Sequence, residues 1–294
     1  MSTTRTASLK DYIFMTKPAV ALLVAVTVIP GMLLASPSFP NPVQVLMVLF
    51  GTALAAASGA VFNQMIDFNI DKHMNRTNKR PIPEGKMTYS TAAIYGFLLS
   101  AIGLGLVYYY ATPLAAALTF AGNAFYIFIY SLFLKNRTSQ NIVIGGAAGA
   151  VGPLIGWAAV TGNLGFTSWI LFLVIFLWTP PHFWALALKY KDDYASAKVP
   201  MLPVVKGDEV TRKSILFYTF TLIPPVVVLH MNGSVGMVCF LFLIALSLVF
   251  IYKAFKLYRH HNNDHAMAVF HYSCLYLFVF FSAVSLDRVI ALIL

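Results

Sequence analysis

Charge-free apolar stretches of about 18 residues or more recur along the whole chain, and that is the length a helix needs to cross a bilayer. They fall near 19–36, 44–66, 89–111, 113–133, 141–161, 167–188, 214–231, 233–252 and 268–290. Only 10% of the residues are charged and 59% are hydrophobic. Soluble globular chains carry roughly 25% charged residues, so this composition cannot supply a water-facing surface. The fold class predicted is all-α: a polytopic membrane protein with about nine transmembrane helices, since helices satisfy every backbone group within lipid.

Charge adds an orientation. All of the 20 Lys and Arg residues except Arg288 lie before the first stretch or after the second, fourth, sixth and eighth. Basic side chains concentrate in cytoplasmic loops, so the N-terminus is expected inside and the C-terminus outside. The net charge of +10 then reads as an inner face meeting anionic lipid headgroups, about 1 kcal/mol per side chain near the surface, and not as a nucleic-acid site. The first stretch is long for a cleaved signal and reads as a retained span. Cys239 and Cys274 lie inside spans without metal-ligand spacing and read as packing residues.

The longest connections, 67–87 and 189–213, leave no room for an extramembrane domain, so residues 1–294 form a single transmembrane unit. These two loops follow the second and sixth spans. Their placement suggests a pseudo-repeat, 10–135 and 136–252, followed by a ninth helix at 268–290. Of the 10 acidic residues, Asp67, Asp71, Glu84, Asp192, Asp193, Asp208 and Glu209 lie in or beside the two loops. A loop serving only the positive-inside bias has no use for clustered carboxylates.

Asn63, Asp67 and Asp71 are spaced four residues apart where the second span leaves the membrane, which stacks them on one helix face. Unpaired carboxylates are costly there. Mg²⁺ suits such a stripe, because it takes one or two carboxylates and shares its other positions with water and substrate phosphate. Arg76, Lys79 and Arg80 follow at once, and Pro81 and Pro83 end any helix. An acidic stripe beside a basic loop fits a metal-bound diphosphate. Interfacial salt bridges between the same residues are the plainer alternative.

The sixth span closes on Trp178-Thr-Pro180-Pro181-His182-Phe-Trp, followed by Lys189-Tyr-Lys191-Asp192-Asp193-Tyr194. The paired prolines predict a break in the helix near the inner third. His182, just beyond them, reads either as a packed, hydrogen-bonded histidine or as a substrate contact. The loop with Lys135 and Arg137 is either a further phosphate contact or a topology signal. Phe62, Tyr126, Phe128, Tyr130 and Trp178 suit a prenyl chain or a developing cation, although each also serves as ordinary packing.

These segments resemble a family. Asn63-x₃-Asp67-x₃-Asp71 with Arg76-Thr77-x₂-Arg80-Pro81 resembles the first aspartate-rich motif of the UbiA-type intramembrane prenyltransferases. Pro-His182-Phe-Trp, Lys191-Asp192-Asp193-Tyr194 and 199–207 resemble its haem-farnesylating branch, the protohaem IX farnesyltransferases, and so does the segment opening at Asn141. One departure is that Asp192 and Asp193 are adjacent, with Lys189 ahead of them, where many relatives carry a second Asp-x₃-Asp.

The resemblance implies a helical bundle around a central cavity open toward the bilayer, in a bacterial cytoplasmic (inner) membrane. It implies farnesyl diphosphate and haem b as substrates and Mg²⁺ as cofactor, held by Asn63, Asp67, Asp71 and Asp193, with Asp192 also catalytic. Arg76, Lys79, Arg80, Arg137, Lys189 and Lys191 are the expected diphosphate contacts, and His182 a haem contact to iron or a propionate. A haem-handling or oxidase-assembly protein is a possible partner on the inner face. Two rivals stand beside this reading. One is a UbiA-type enzyme acting on a quinone-precursor ring or chlorin. The other is a secondary transporter, whose sites lie nearer the midplane than these carboxylates.

Overall fold

The computed structural model describes residues 7–74, 77–260 and 262–294. Among these residues, nine helical segments are long and apolar enough to cross a membrane. The first to fourth spans are Pro18–Ala35, Pro42–Ile66, Tyr89–Tyr110 and Pro113–Leu134. The fifth to ninth are Asn141–Thr161, Phe166–Lys189, Gly207–Met231, Met237–Arg259 and Ala266–Ile293. Their starts follow local chemistry. Proline opens the first, second and fourth, where its missing N–H costs nothing. The Asn41 side chain accepts from the Val43 N–H at 2.9 Å, and Thr112 caps Ala115 in the same way at 3.1 Å.

The seventh span starts seven residues before the apolar stretch that signalled it. Asp208 and Glu209 occupy its first turn, where carboxylates complement the helix dipole, so charge that ends a hydropathy window here begins a helix. Proline divides three spans into two pieces each: at Thr27 before Pro30, at Val151 before Pro153, and at 221–222 before Pro224 and Pro225. The expected break at Pro180-Pro181 does not occur, and Phe166–Lys189 is one continuous helix. Proline's fixed φ is itself helical, and the fifth, seventh and ninth spans pack around this helix and hold its course. The fourth span changes character instead, running as a π-helix over Phe125–Leu134.

Each span packs on the next, and the ninth returns to the C-terminal half of the first, closing the bundle. The first and fifth spans meet backbone to backbone, because Gly31 lies against Pro153 while Gly152 and Gly156 lie against Thr27 and Val28. Small residues permit such approach in membranes, where van der Waals contact is a main attraction between helices. Large apolar side chains such as Phe97, Val238 and Phe278 point outward. Cys239 is buried as expected, whereas Cys274 is exposed.

Candidate active site

The second span ends at Ile66, but its helical register does not. The Asp67 N–H donates to the Asn63 carbonyl at 2.9 Å and the Asp71 N–H to the Asp67 carbonyl at 2.8 Å. Asn63, Asp67 and Asp71 therefore stay on one stripe, and all three are at least 97% buried. Three cations from separate parts of the chain converge on it. Lys17 Nζ donates to Asn63 Oδ1 at 3.0 Å, Lys135 Nζ to Asp67 Oδ2 at 2.5 Å, and Arg80 Nη1 to Asp71 Oδ2 at 2.6 Å. Asn63 Nδ2 donates to Asp67 Oδ2 at 2.9 Å and to Ser131 Oγ at 3.1 Å, tying the stripe to the π-helical segment.

Of the salt bridges expected as the plainer alternative, Arg80–Asp71 is thus present, and Lys135 adds one from another loop, but together they do not satisfy the stripe. Asp67 Oδ1 is buried with no protein partner, and a buried carboxylate oxygen left unpaired is costly. Burial holds the Asp71 carboxyl above its usual range despite the Arg80 guanidinium beside it. Burial, with Arg80 nearby, brings the Lys17 ammonium down to about 7. Asp67 thus keeps one oxygen open, and the Lys17 ammonium has an amide oxygen, not a carboxylate, as its hydrogen-bond partner.

The stripe forms the polar end of a cavity of about 490 Å³. The cavity continues between the first, second, fourth, fifth and sixth spans. Tyr126 and Tyr130 line it as a parallel pair, 5.5 Å between centroids, with Trp178, His182 and Phe183 further along. On the fifth span's wall Gly145 and Gly146 make room for Tyr130 and Thr179, and Gly149 leaves open space. Among the described residues that line the cavity, three cations face two carboxylates, an excess that favours an anionic ligand.

Of the expected residues, Asn63, Asp67, Asp71, Arg80 and His182 line this cavity. Arg76 lies outside the described residues. Lys79, Lys189 and Asp192 are exposed and do not line it. Lys191 donates to Asp208 Oδ1 at 2.7 Å, and the Asp193 carbonyl accepts from the Ser196 hydroxyl at 2.8 Å. The Arg137 guanidinium covers the Phe133 ring at 4.3 Å. Phe62 packs on Phe97, and Phe128 faces outward. Lys17 carries no site role in the sequence, and Lys135 enters there only together with Arg137, as a phosphate contact or a topology signal. The available signal is position, since each directly abuts the end of a span.

Residues 24–280 match the model of the UbiA prenyltransferase family. This chain belongs to that family. The protoheme IX farnesyltransferase of Gloeobacter violaceus is 44% identical over 284 residues, covering 96% of this chain and 93% of the relative. That of Alcanivorax borkumensis is 43% identical over 281 residues, covering 95% and 93%. Solved structures share the UbiA fold at lower identity. A digeranylgeranylglyceryl phosphate synthase superposes with a TM-score of 0.78 at 21% identity, covering 96% of this chain and 98% of that one. A UbiA homologue of Archaeoglobus fulgidus bound to GPP and Mg²⁺ superposes with a TM-score of 0.72 at 14% identity, covering 94% and 99%. As a UbiA family member the chain is a multi-pass membrane prenyltransferase, and its cavity joins a charged end to an aromatic interior.

Proposed function

We infer that this prenyltransferase transfers a farnesyl group from farnesyl diphosphate to a vinyl group of haem b, giving haem O. The acceptor and the farnesyl length rest on the relatives named protoheme IX farnesyltransferase, which match over nearly the full chain. The observation that carries the chemistry is the unpaired Asp67 Oδ1 at the head of an aromatic cavity. Hard, buried oxygen donors fit Mg²⁺, the surrounding cations fit the diphosphate that would accompany it, and the UbiA homologue bound to GPP and Mg²⁺ supports the same assignment.

Asp67 and Asp71 would hold the metal, with Asn63 supporting it. A metal held by these residues would supply positive charge that offsets the charge developing on the departing diphosphate. Lys17, Arg80 and Lys135 take the remaining phosphate oxygens, their charges aimed where negative charge develops as the farnesyl C1–O bond breaks. Tyr126, Tyr130 and Trp178 exclude water from the electron-poor carbon and present ring faces to it. The vinyl π electrons form the new C–C bond. Water adds to the carbon left electron-deficient and loses a proton, completing a hydroxyethylfarnesyl side chain. We place the enzyme in a bacterial cytoplasmic membrane with the charged cavity end and the N-terminus inside, on the strength of the basic connections.

The test is an assay of purified protein in detergent with haem b, farnesyl diphosphate and Mg²⁺, read by chromatography and mass spectrometry. A farnesylated haem that disappears with EDTA is expected. Prenylation of a quinone-type ring with haem left untouched would overturn the acceptor and keep the diphosphate site.

A further inference from the structure

His182 meets the cavity in a constrained way. Its ring stacks on Trp178 at 4.3 Å between centroids and 20° between planes, and on Phe270 of the ninth span at 4.8 Å and 28°. Its Nδ1 lies 2.7 Å from Ser273 Oγ, with Cys274 Sγ farther off at 3.9 Å. His182 lines the cavity, and with two rings stacked on it and Nδ1 turned to Ser273, Nε2 is the ring nitrogen these contacts leave for a ligand.

Ser273 decides which nitrogen holds the proton. Its hydroxyl donates to the Phe270 carbonyl at 2.6 Å, and a hydroxyl has one proton to give. Toward His182 the oxygen therefore accepts, so Nδ1 is the N–H donor. In the neutral imidazole Nε2 then carries the lone pair. The same residue anchors the neighbouring turn, because its backbone carbonyl accepts from Trp178 Nε1 at 2.8 Å. One serine of the ninth span thus holds two cavity-lining residues of the sixth.

The geometry points to Ser273 as a positioning residue that fixes the tautomer of His182, so that Nε2 is offered as an axial ligand to the metal of a cavity-bound tetrapyrrole. This rests on the haem reading above. Metal-binding histidines characteristically donate their other N–H to a fixed acceptor, which sets ring orientation and ligand basicity. Here the acceptor is a hydroxyl whose own proton is committed to a carbonyl. Ligation would pin the macrocycle by its centre while its vinyl edge reaches toward the diphosphate end.

Ferric haem b titrated into the purified protein, with farnesyl diphosphate omitted, tests this by Soret absorbance and electron paramagnetic resonance. Wild type should give a nitrogen-ligated spectrum that His182→Ala loses. Ser273→Ala keeps the backbone bond to Trp178 and should weaken haem binding about 10–100-fold, while Ser273→Thr, which retains the hydroxyl, should restore it. An unchanged spectrum in His182→Ala, or unchanged binding in Ser273→Ala, overturns the assignment. If haem is farnesylated while those spectra stay unchanged, this proposal alone fails. If the protein prenylates a quinone-type ring and never haem, the haem reading fails and takes this proposal with it.

Discussion

At the scale of single residues, the charged end of the cavity is a set of buried pairs whose members are not equivalent. Asp67 receives Lys135 and Asn63 on one oxygen and keeps the other open. Asp67→Asn preserves size and the bond geometry with Asn63, so the protein should insert and purify normally. It should lose about 100-fold or more in turnover, the scale of losing one charge-stabilising group, measured as farnesyl transfer at saturating substrates. Lys135→Ala and Arg137→Ala form a sharper comparison. Removing Lys135 leaves a buried carboxylate uncompensated, a loss of about 3–5 kcal/mol in such pairs, and takes a cation from the cavity. Arg137 sits over Phe133 instead. Binding of the diphosphate substrate, read as KM, should worsen strongly in the first variant and little in the second. Equal losses would mean that both side chains reach the ligand.

At the scale of elements, the fifth span carries two kinds of glycine. A Cβ at Gly156 would overlap the Val28 carbonyl of the first span, whereas a Cβ at Gly149 would meet open space along the cavity wall. Gly156→Val should therefore separate the first and fifth spans, read as lost yield of monodisperse protein in detergent. Gly149→Phe should leave thermal stability close to wild type and abolish transfer by occupying the cavity. The π-helical segment matters for a related reason. A wider turn at Phe125–Leu134 lets Tyr126, Ser131 and Lys135 reach one site, and π turns inside α-helices recur at functional positions. The sixth span shows the opposite behaviour, keeping an α-helical course through Pro180 and Pro181 and so setting Trp178 and His182 one turn apart on the cavity wall.

At the scale of the whole molecule, one end of the bundle gathers Lys17, Arg80 and Lys135 around the acid stripe and also holds the Lys191–Asp208–Asn263 contacts. At the other end, Arg288 Nη2 donates to the Ser36 carbonyl at 2.5 Å, capping the first span from the ninth. The orientation proposed from charge has a direct consequence. A phosphatase fused after Leu294 should be active only when exported, and a fluorescent protein at the same place should stay dark. A bright fluorescent fusion with an inactive phosphatase would reverse the topology and put the diphosphate site on the wrong face.

The class of this protein, the location of its spans and the Asn63–Asp67–Asp71 stripe were legible in the sequence, because hydropathy and helical period are local properties that repeat every few residues. Which other side chains meet that stripe was not. Lys17 and Lys135 are far from Asp67 in the chain and join it only through packing of the first, second and fourth spans. Arg137, two residues past Lys135, is turned onto Phe133, and Lys191 is drawn to Asp208 at the start of the seventh span. The pairing of His182 with Ser273 likewise joins the sixth and ninth spans. A one-dimensional pattern specifies the face of a single helix; convergence of charges from several helices depends on their rotations and crossings, and those are decided when the apolar surfaces pack.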